Sequence, residues 1–218
     1  MTSILEVEQL DTLSSNASST LTIGGTNTTT INLGASGKSI VIPSGATLTN
    51  NGTASGLATT NGITEADEWR LTTDYAPGTT STIITSNWER NDTNFALIGT
   101  GMSESSGIFS FPSTGIWIVR ALFNMSNNQN ANYIGGSLQV TTNNSTYNSN
   151  SYFNHNVNYT NFGGDMNISG FVECMIDVND LSNTKVRFGA SSNSANYTIR
   201  GSTTAQYTGA TFMKLGET

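Results

Sequence analysis

Apolar residues are spread along this chain in three different ways, and each predicts a different kind of structure. Over residues 1–18, Ile4, Leu5, Val7, Leu10 and Leu13 mix irregularly with Glu6, Glu8 and Asp11, a pattern that suits a strand running into a helical turn. A free, solvated tail needs no such residues, so they either pack on the rest of the chain or form an arm that attaches elsewhere. Over residues 19–62 the beats "LTI", "INL", "IVI", "TLT" and "SGL" are separated by Gly, Asn, Ser and Thr, and Leu21, Ile31, Ile40, Leu48 and Leu57 recur at intervals of eight to ten, a loose repeat. Each beat offers one or two apolar side chains, too few to bury a core within one chain. Order there must come from neighbours, either successive coils of a solenoid or identical beats of other chains. In a three-chain stalk, Leu21, Ile23, Ile31, Leu33, Ile40, Ile42, Leu48 and Leu57 form an inward column while Thr and Asn face water. The competing expectation is a disordered, Thr-rich linker.

From residue 63 to 218 the aromatic residues arrive, among them Trp69, Trp88, Trp117, Phe171, Phe188 and Phe212. Aromatic side chains supply the largest burial per residue, so this zone is the globular domain. Ten short β-type segments, from "EWRLTTDY" to "ATFMKL", are separated by Gly or Asn turns with no amphipathic helical pattern, which predicts an antiparallel sandwich or jelly roll. The densest apolar run is "GIFSFPSTGIWIVRALFNM", residues 107–125. Pro112 cannot donate to a ladder and ends one strand, and Gly115 allows a turn into the next. The expectation is a β-hairpin in which Phe109, Phe111, Trp117 and Val119 alternate onto buried faces. The excess of apolar residues further suggests that more than one face of this run is covered. Phe188 is a further core candidate, as is Cys174, which in "FVECMIDV" shares a face with Val172, Ile176 and Val178.

Composition narrows the function. Charged residues make up 11% of the chain, against about a quarter in typical domains, so solubility rests on neutral Asn, Thr and Ser. The net charge of −7 and eight scattered Lys and Arg residues exclude a nucleic-acid partner, because phosphate binding needs clustered cations. One cysteine rules out an intrachain disulfide framework. The first residues lack a basic segment followed by a continuous apolar run, and no run approaches a transmembrane helix, so membrane insertion is not expected. The abundant Asn-x-Ser/Thr triplets follow from composition and point to no glycosylation.

The motif Phe109-x-x-Pro112-x-x-Gly115-Ile116-Trp117 resembles the F-x-x-P-x-x-G-x-Y/W signature of the complement C1q and tumour-necrosis-factor (TNF) jelly rolls. "SGFVECMIDVNDLSNTKVRFG" is similar to that family's glycine-led strand, polar turn and following strand. "AQYTGATFMKL" is similar to its final strand, except that Ala210 and Thr211 separate Gly209 from Phe212. The resemblance spans roughly residues 65–216 and implies a ten-stranded jelly roll that trimerises about a three-fold axis, often at the end of a stalk. Some relatives hold Ca²⁺, but the carboxylates here lack the spacing of a calcium loop, so no metal and no cofactor is expected. The N-terminal zone, with "ILEVEQL" and "IPSGATLTNNG", is similar to structural proteins of tailed bacteriophages, marine ones especially.

No catalytic constellation stands out. Asp67 and Glu68 beside Arg70, and Glu89 beside Arg90, suit solvated or intersubunit pairs. The lone His155 lies in an Asn- and Tyr-rich segment expected to be a polar loop. Tyr147, Tyr152, Phe153, His155, Tyr159 and Phe162, interleaved with Asn and Ser, have the composition of a glycan- or protein-contact surface; the plainer expectation is exposed polar surface. The leading functional expectation is a non-enzymatic phage virion protein, displayed on the particle surface. It would be a homotrimeric fibre or spike anchored to capsid, portal or tail by residues 1–18, raised on the 19–62 stalk, and contacting a host surface through the 63–218 head. The alternatives are a trimeric capsid decoration or cement protein, and a secreted lectin-like module or glycan-degrading enzyme.

Overall fold

A computed structural model of the chain describes residues 41–49, 51–52, 62–95, 97–129, 131–157 and 166–218. The chain divides into two units, Met1–Leu57 and Ala58–Thr218. In the first, the described residues hold a turn in which the Ala46 N–H donates to Pro43 O (3.0 Å). Gly45 takes φ 84° there, the left-handed value that the third position of a type II turn requires. Ile42 and Leu48, two members of the expected stalk column, are exposed in the single chain. The remaining members, Leu21, Ile23, Ile31, Leu33, Ile40 and Leu57, and the expected anchor residues Ile4, Leu5, Val7, Leu10 and Leu13, lie outside the described residues.

The second unit is all-β. Its strands are β1 (Ala66–Leu71), β2 (Ser81–Ile83), β3 (Trp88–Arg90), β4 (Ser103–Ser105), β5 (Ile108–Ser110), β6 (Gly115–Asn127), β7 (Ala131–Thr141), β8 (Asn148–Val157), β9 (Met166–Val178), β10 (Lys185–Ser192), β11 (Tyr197–Ile199) and β12 (Gly209–Gly216). They form two six-stranded antiparallel sheets. In sheet I, β9 pairs with the full length of β6. β11 and β12 follow one another along the opposite edge of β6, and β1 and β3 extend the sheet beyond β12. In sheet II, β10 is central: β7 and then β8 lie on one side, and β2 and the β5–β4 pair share the other.

Alternation drives this arrangement, since every second side chain of a strand points to the same face. Trp117, Val119, Ala121, Phe123 and Met125 of β6 are buried, together with Val172, Ile176 and Val178 of β9 and Phe212 of β12. They meet Phe109, Leu138, Val140, Val186 and Phe188 from sheet II. Phe109 lies at the centre of an aromatic cluster, with ring centroids 5.2–5.5 Å from those of Trp69, Trp88, Phe188 and Phe212. Cys174 is half-buried against this core.

Two expectations about strands are corrected. The run 107–125 is not a hairpin: β5 pairs with β4 and β10 in sheet II, whereas β6 belongs to sheet I. The Pro112 corner carries the chain from one sheet to the other, because Phe109 and Trp117 must enter the core from opposite walls. Among the described residues the ten expected segments resolve into twelve strands. "STIITSNWER" splits into β2 and β3 on different sheets, β4 forms before the Ser106–Gly107 turn, and "FALIG" makes only an isolated bridge from Ile98 to Ala66. The segment expected as a polar loop forms β8, described below.

Candidate functional site

The outer face of sheet I carries an apolar patch across β12, β6 and β9. Leu122 of β6 lies opposite Phe171 of β9, and Ile118 lies between Met175 of β9 and Met213 of β12. Phe171 and Met175 are 63% and 68% exposed, and Leu122 and Leu215 are exposed with them. A hollow of about 280 Å³ opens among Ile118, Thr211, Met213 and Leu215. Its polar side is the Arg120–Glu173 ion pair (2.6 Å), with the Arg120 guanidinium 5.6 Å over the Phe171 ring. Antiparallel sheets that face water ordinarily present polar residues there, so this face has the character of a surface made to be covered.

The outer face of sheet II is polar. The alternation of β8 divides the expected contact residues instead of gathering them. Tyr152 stands outward, 69% exposed. Phe153 turns inward, 5.7 Å from Phe123 and against Gly136 and Gly170. His155 is exposed, with its ring 5.5 Å from Phe153. Tyr147, just before the strand, lies 3.9 Å beneath the Arg187 guanidinium, whose Nε donates to Gln139 Oε1 (2.8 Å). Burial pushes the Tyr147 phenol above its ordinary pKa, with Arg187 opposing. Tyr159 and Phe162 lie outside the described residues. The loop expectation is therefore corrected for residues 148–157: with Gly135, Gly136 and Ser137 opposite, β8 pairs with β7 through a ladder interrupted by two register shifts, and Asn and Ser side chains are accommodated on a wet edge strand. Beside Tyr152, a hollow of about 300 Å³ is lined by Thr82, Ser137, Gln139, Asn154 and Ser191.

The charged residues of β1 and β3 are likewise not solvated or intersubunit pairs. Register places Trp69 opposite Arg90 and Arg70 opposite Glu89, which closes the network within one chain. Asp67, 1% exposed, accepts from Arg90 Nε (2.9 Å) and Nη2 (3.1 Å), from the Trp69 indole (2.9 Å) and from the Met102 N–H (2.7 Å). Arg70, 3% exposed, donates to Glu89 (3.1 Å), Thr93 (2.9 Å) and Asp92 (2.6 Å), and Asn91 donates to Glu68. These groups bond to one another and hold the loop after β3. Burial raises the Cys174 pKa. Among the described residues no three His, Cys, Asp or Glu side chains are grouped to hold a metal ion.

By sequence, no family model and no curated protein matches the chain. The fold does match solved structures. Murine APRIL at pH 5.0 superposes with a TM-score of 0.50 at 10% identity, over 69% of this chain and 98% of APRIL. Eiger TNF from S. frugiperda superposes with a TM-score of 0.52 at 12% identity, over 70% of this chain and 93% of Eiger. Two six-stranded antiparallel sheets with these neighbours make the folded unit a TNF-like jelly roll.

Proposed function

We propose that this protein is a non-enzymatic virion structural protein of a tailed phage. It assembles as a homotrimer whose head is the jelly roll, with residues 19–62 as stalk and residues 1–18 as the attachment arm. The observation that carries the reading is the apolar patch on the outer face of sheet I, continuous across β12, β6 and β9. A second copy of the chain is the occupant it fits: apolar side chains of three strands adjoin there, and the Arg120–Glu173 pair among them is self-neutralising, so burying that pair strands no charge. Three-fold symmetry follows from the C1q/TNF resemblance, and the particle from the likeness of the N-terminal zone to phage proteins. The head then faces outward as a fibre or spike and contacts the host.

Light scattering on the purified full chain tests the assembly. The expected mass is that of three 23.1 kDa chains; a single-chain mass at micromolar concentration sinks the reading. Antibody labelling of intact particles tests the placement. Label on the tail or vertices is expected, label spread over the capsid faces with particles that burst when the protein is missing makes it a cement protein instead, and particles without label remove the virion role.

A further inference from the structure

Charge is divided unequally between the two sheets. The strands of sheet I hold Asp67, Glu68, Glu89, Glu173 and Asp177, whereas those of sheet II hold only Glu104, on the short strand β4, where it accepts the Gly107 N–H (2.6 Å). In a chain of net charge −7, the outer face formed by β2, β10, β7 and β8 is thus free of carboxylates. Of the described cations, Arg70, Arg90, Arg120, Arg200 and Lys214 are all ion-paired. Lys185 and Arg187, two residues apart on the outer side of β10, are not. Lys185 reaches Ser110 Oγ (3.0 Å), and the carboxylate that feels it, Asp180, is engaged with Ser182 and Asn183. Arg187 is held from two sides, by Gln139 at Nε and by the Tyr147 ring beneath it, while neither Nη group has a partner among the described residues. A guanidinium fixed in this way presents a fork suited to a carboxylate.

The ground beside Arg187 is a polar groove. Ser137 lies between Gly189 on β10 and Tyr152 on β8, so small residues floor a groove with the exposed Tyr152 ring as its wall. A Cβ on Gly189 would come within 3.0 Å of Ser137 Oγ and Thr82 O, so glycine keeps that floor low. Ser137, Ser191, Thr82 and Asn154 offer hydroxyl and amide partners along it. Tyr152 is two strands and two residues away from Arg187. Strand spacing and rise put their Cα atoms about 12 Å apart, a span that two or three sugar rings cover.

We infer that the outer face of sheet II binds an acidic oligosaccharide, with a uronate carboxylate on Arg187 and a sugar ring stacked on Tyr152. This deepens the proposed host-contact role of the head and rests on it for its biological setting. An acidic peptide would satisfy Arg187 but leave the hydroxyl-lined floor unused. The test is calorimetric titration of the full chain with trigalacturonate and with neutral galactotriose. Trigalacturonate is expected to bind roughly tenfold or more tightly than galactotriose, and more weakly as salt is raised. Arg187→Gln should lose about tenfold of that affinity, Arg187→Lys somewhat less, and Tyr152→Ala about fivefold. Tyr152 is exposed, so its variant keeps the wild-type melting temperature and still reads the site if the Arg187 variants fold poorly. No binding of trigalacturonate, equal binding of both sugars, or full affinity in Tyr152→Ala overturns the inference. The trimer mass and particle labelling depend on neither side chain, so a failure here leaves the proposed function standing.

Discussion

Gly115 takes φ 135°, and a Cβ there would run into Lys214 Cε and the Gly216 carbonyl. Two residues on, Trp117 is fully buried and its indole N–H donates to Ser113 O (3.2 Å), which ties the core to the corner that crosses between sheets. Trp117→Ala is expected to cost about 3–5 kcal/mol, read as a lowered urea midpoint, and an unchanged midpoint refutes the placement. Gly115→Ala should cost about 1–3 kcal/mol from backbone strain, with the Cβ contact on the Gly216 carbonyl adding to it, visible as a fall in melting temperature with the fold retained. Tyr197 is buried, and its hydroxyl donates to Ala190 O (3.3 Å). Burial, with Tyr75 and Tyr133 adding to it, pushes its pKa from 10.0 up to about 12. The folded state therefore keeps a proton that the unfolded state releases first, so stability is complete below pH 10 and declines between pH 10 and 12. Tyr197→Phe should flatten that decline in denaturation curves taken across this range; an unaltered slope assigns the alkaline transition elsewhere.

At the level of elements, β1 and β3 owe their pairing to charge as much as to apolar contact. Asp67→Ala would leave the Trp69 indole and the Met102 N–H without their acceptor and Arg90 without its counter-charge, though still bonded to the Met102 carbonyl, at a cost of about 3–5 kcal/mol. The double change Asp67→Ala with Arg90→Met should cost less than the single one, because no unpaired charge remains; chemical denaturation of both variants decides it. Neither strand's role could be read from spacing, since Asp67, Arg70, Glu89 and Arg90 become partners only when β1 and β3 take their register. The same holds for β8. "NSNSYFNHNV" has few apolar residues and reads as a loop by composition, yet its backbone pairs with β7, and the inward Phe153 ring and the buried Val157 seat it on the core. Strands with strong alternation, such as β6, β9 and β10, were legible because the period-two pattern and the burial coincide.

For the whole molecule, the two proposed roles fall on opposite outer faces, self-association on the apolar patch of sheet I and ligand binding on the polar face of sheet II. Leu122→Glu combined with Met175→Glu should convert the three-chain species to single chains without loss of β-structure, because both side chains are exposed in the protomer. Scattering mass together with far-ultraviolet circular dichroism reads this, and a trimer that survives both substitutions places the interface elsewhere. Association through an apolar face should also persist in 1 M salt, where one held by ion pairs would weaken.

The sequence by itself determined that residues 63–218 fold as an antiparallel β-sandwich. It also marked Phe109, Phe111, Trp117, Val119 and Phe188 as inward-facing, because alternation and aromatic content are local properties of the chain. It carried the jelly-roll resemblance in the Phe109 to Trp117 motif as well. Only the tertiary structure decided that this motif bridges two sheets, that the arginines of β1 and β3 pair with carboxylates of the same chain, and that Tyr152 and Phe153 part to opposite faces. The physical reason is that pairing partners and sheet membership depend on residues far apart in the chain. Local pattern says which side chains seek cover, and only the assembled sheets say what covers them.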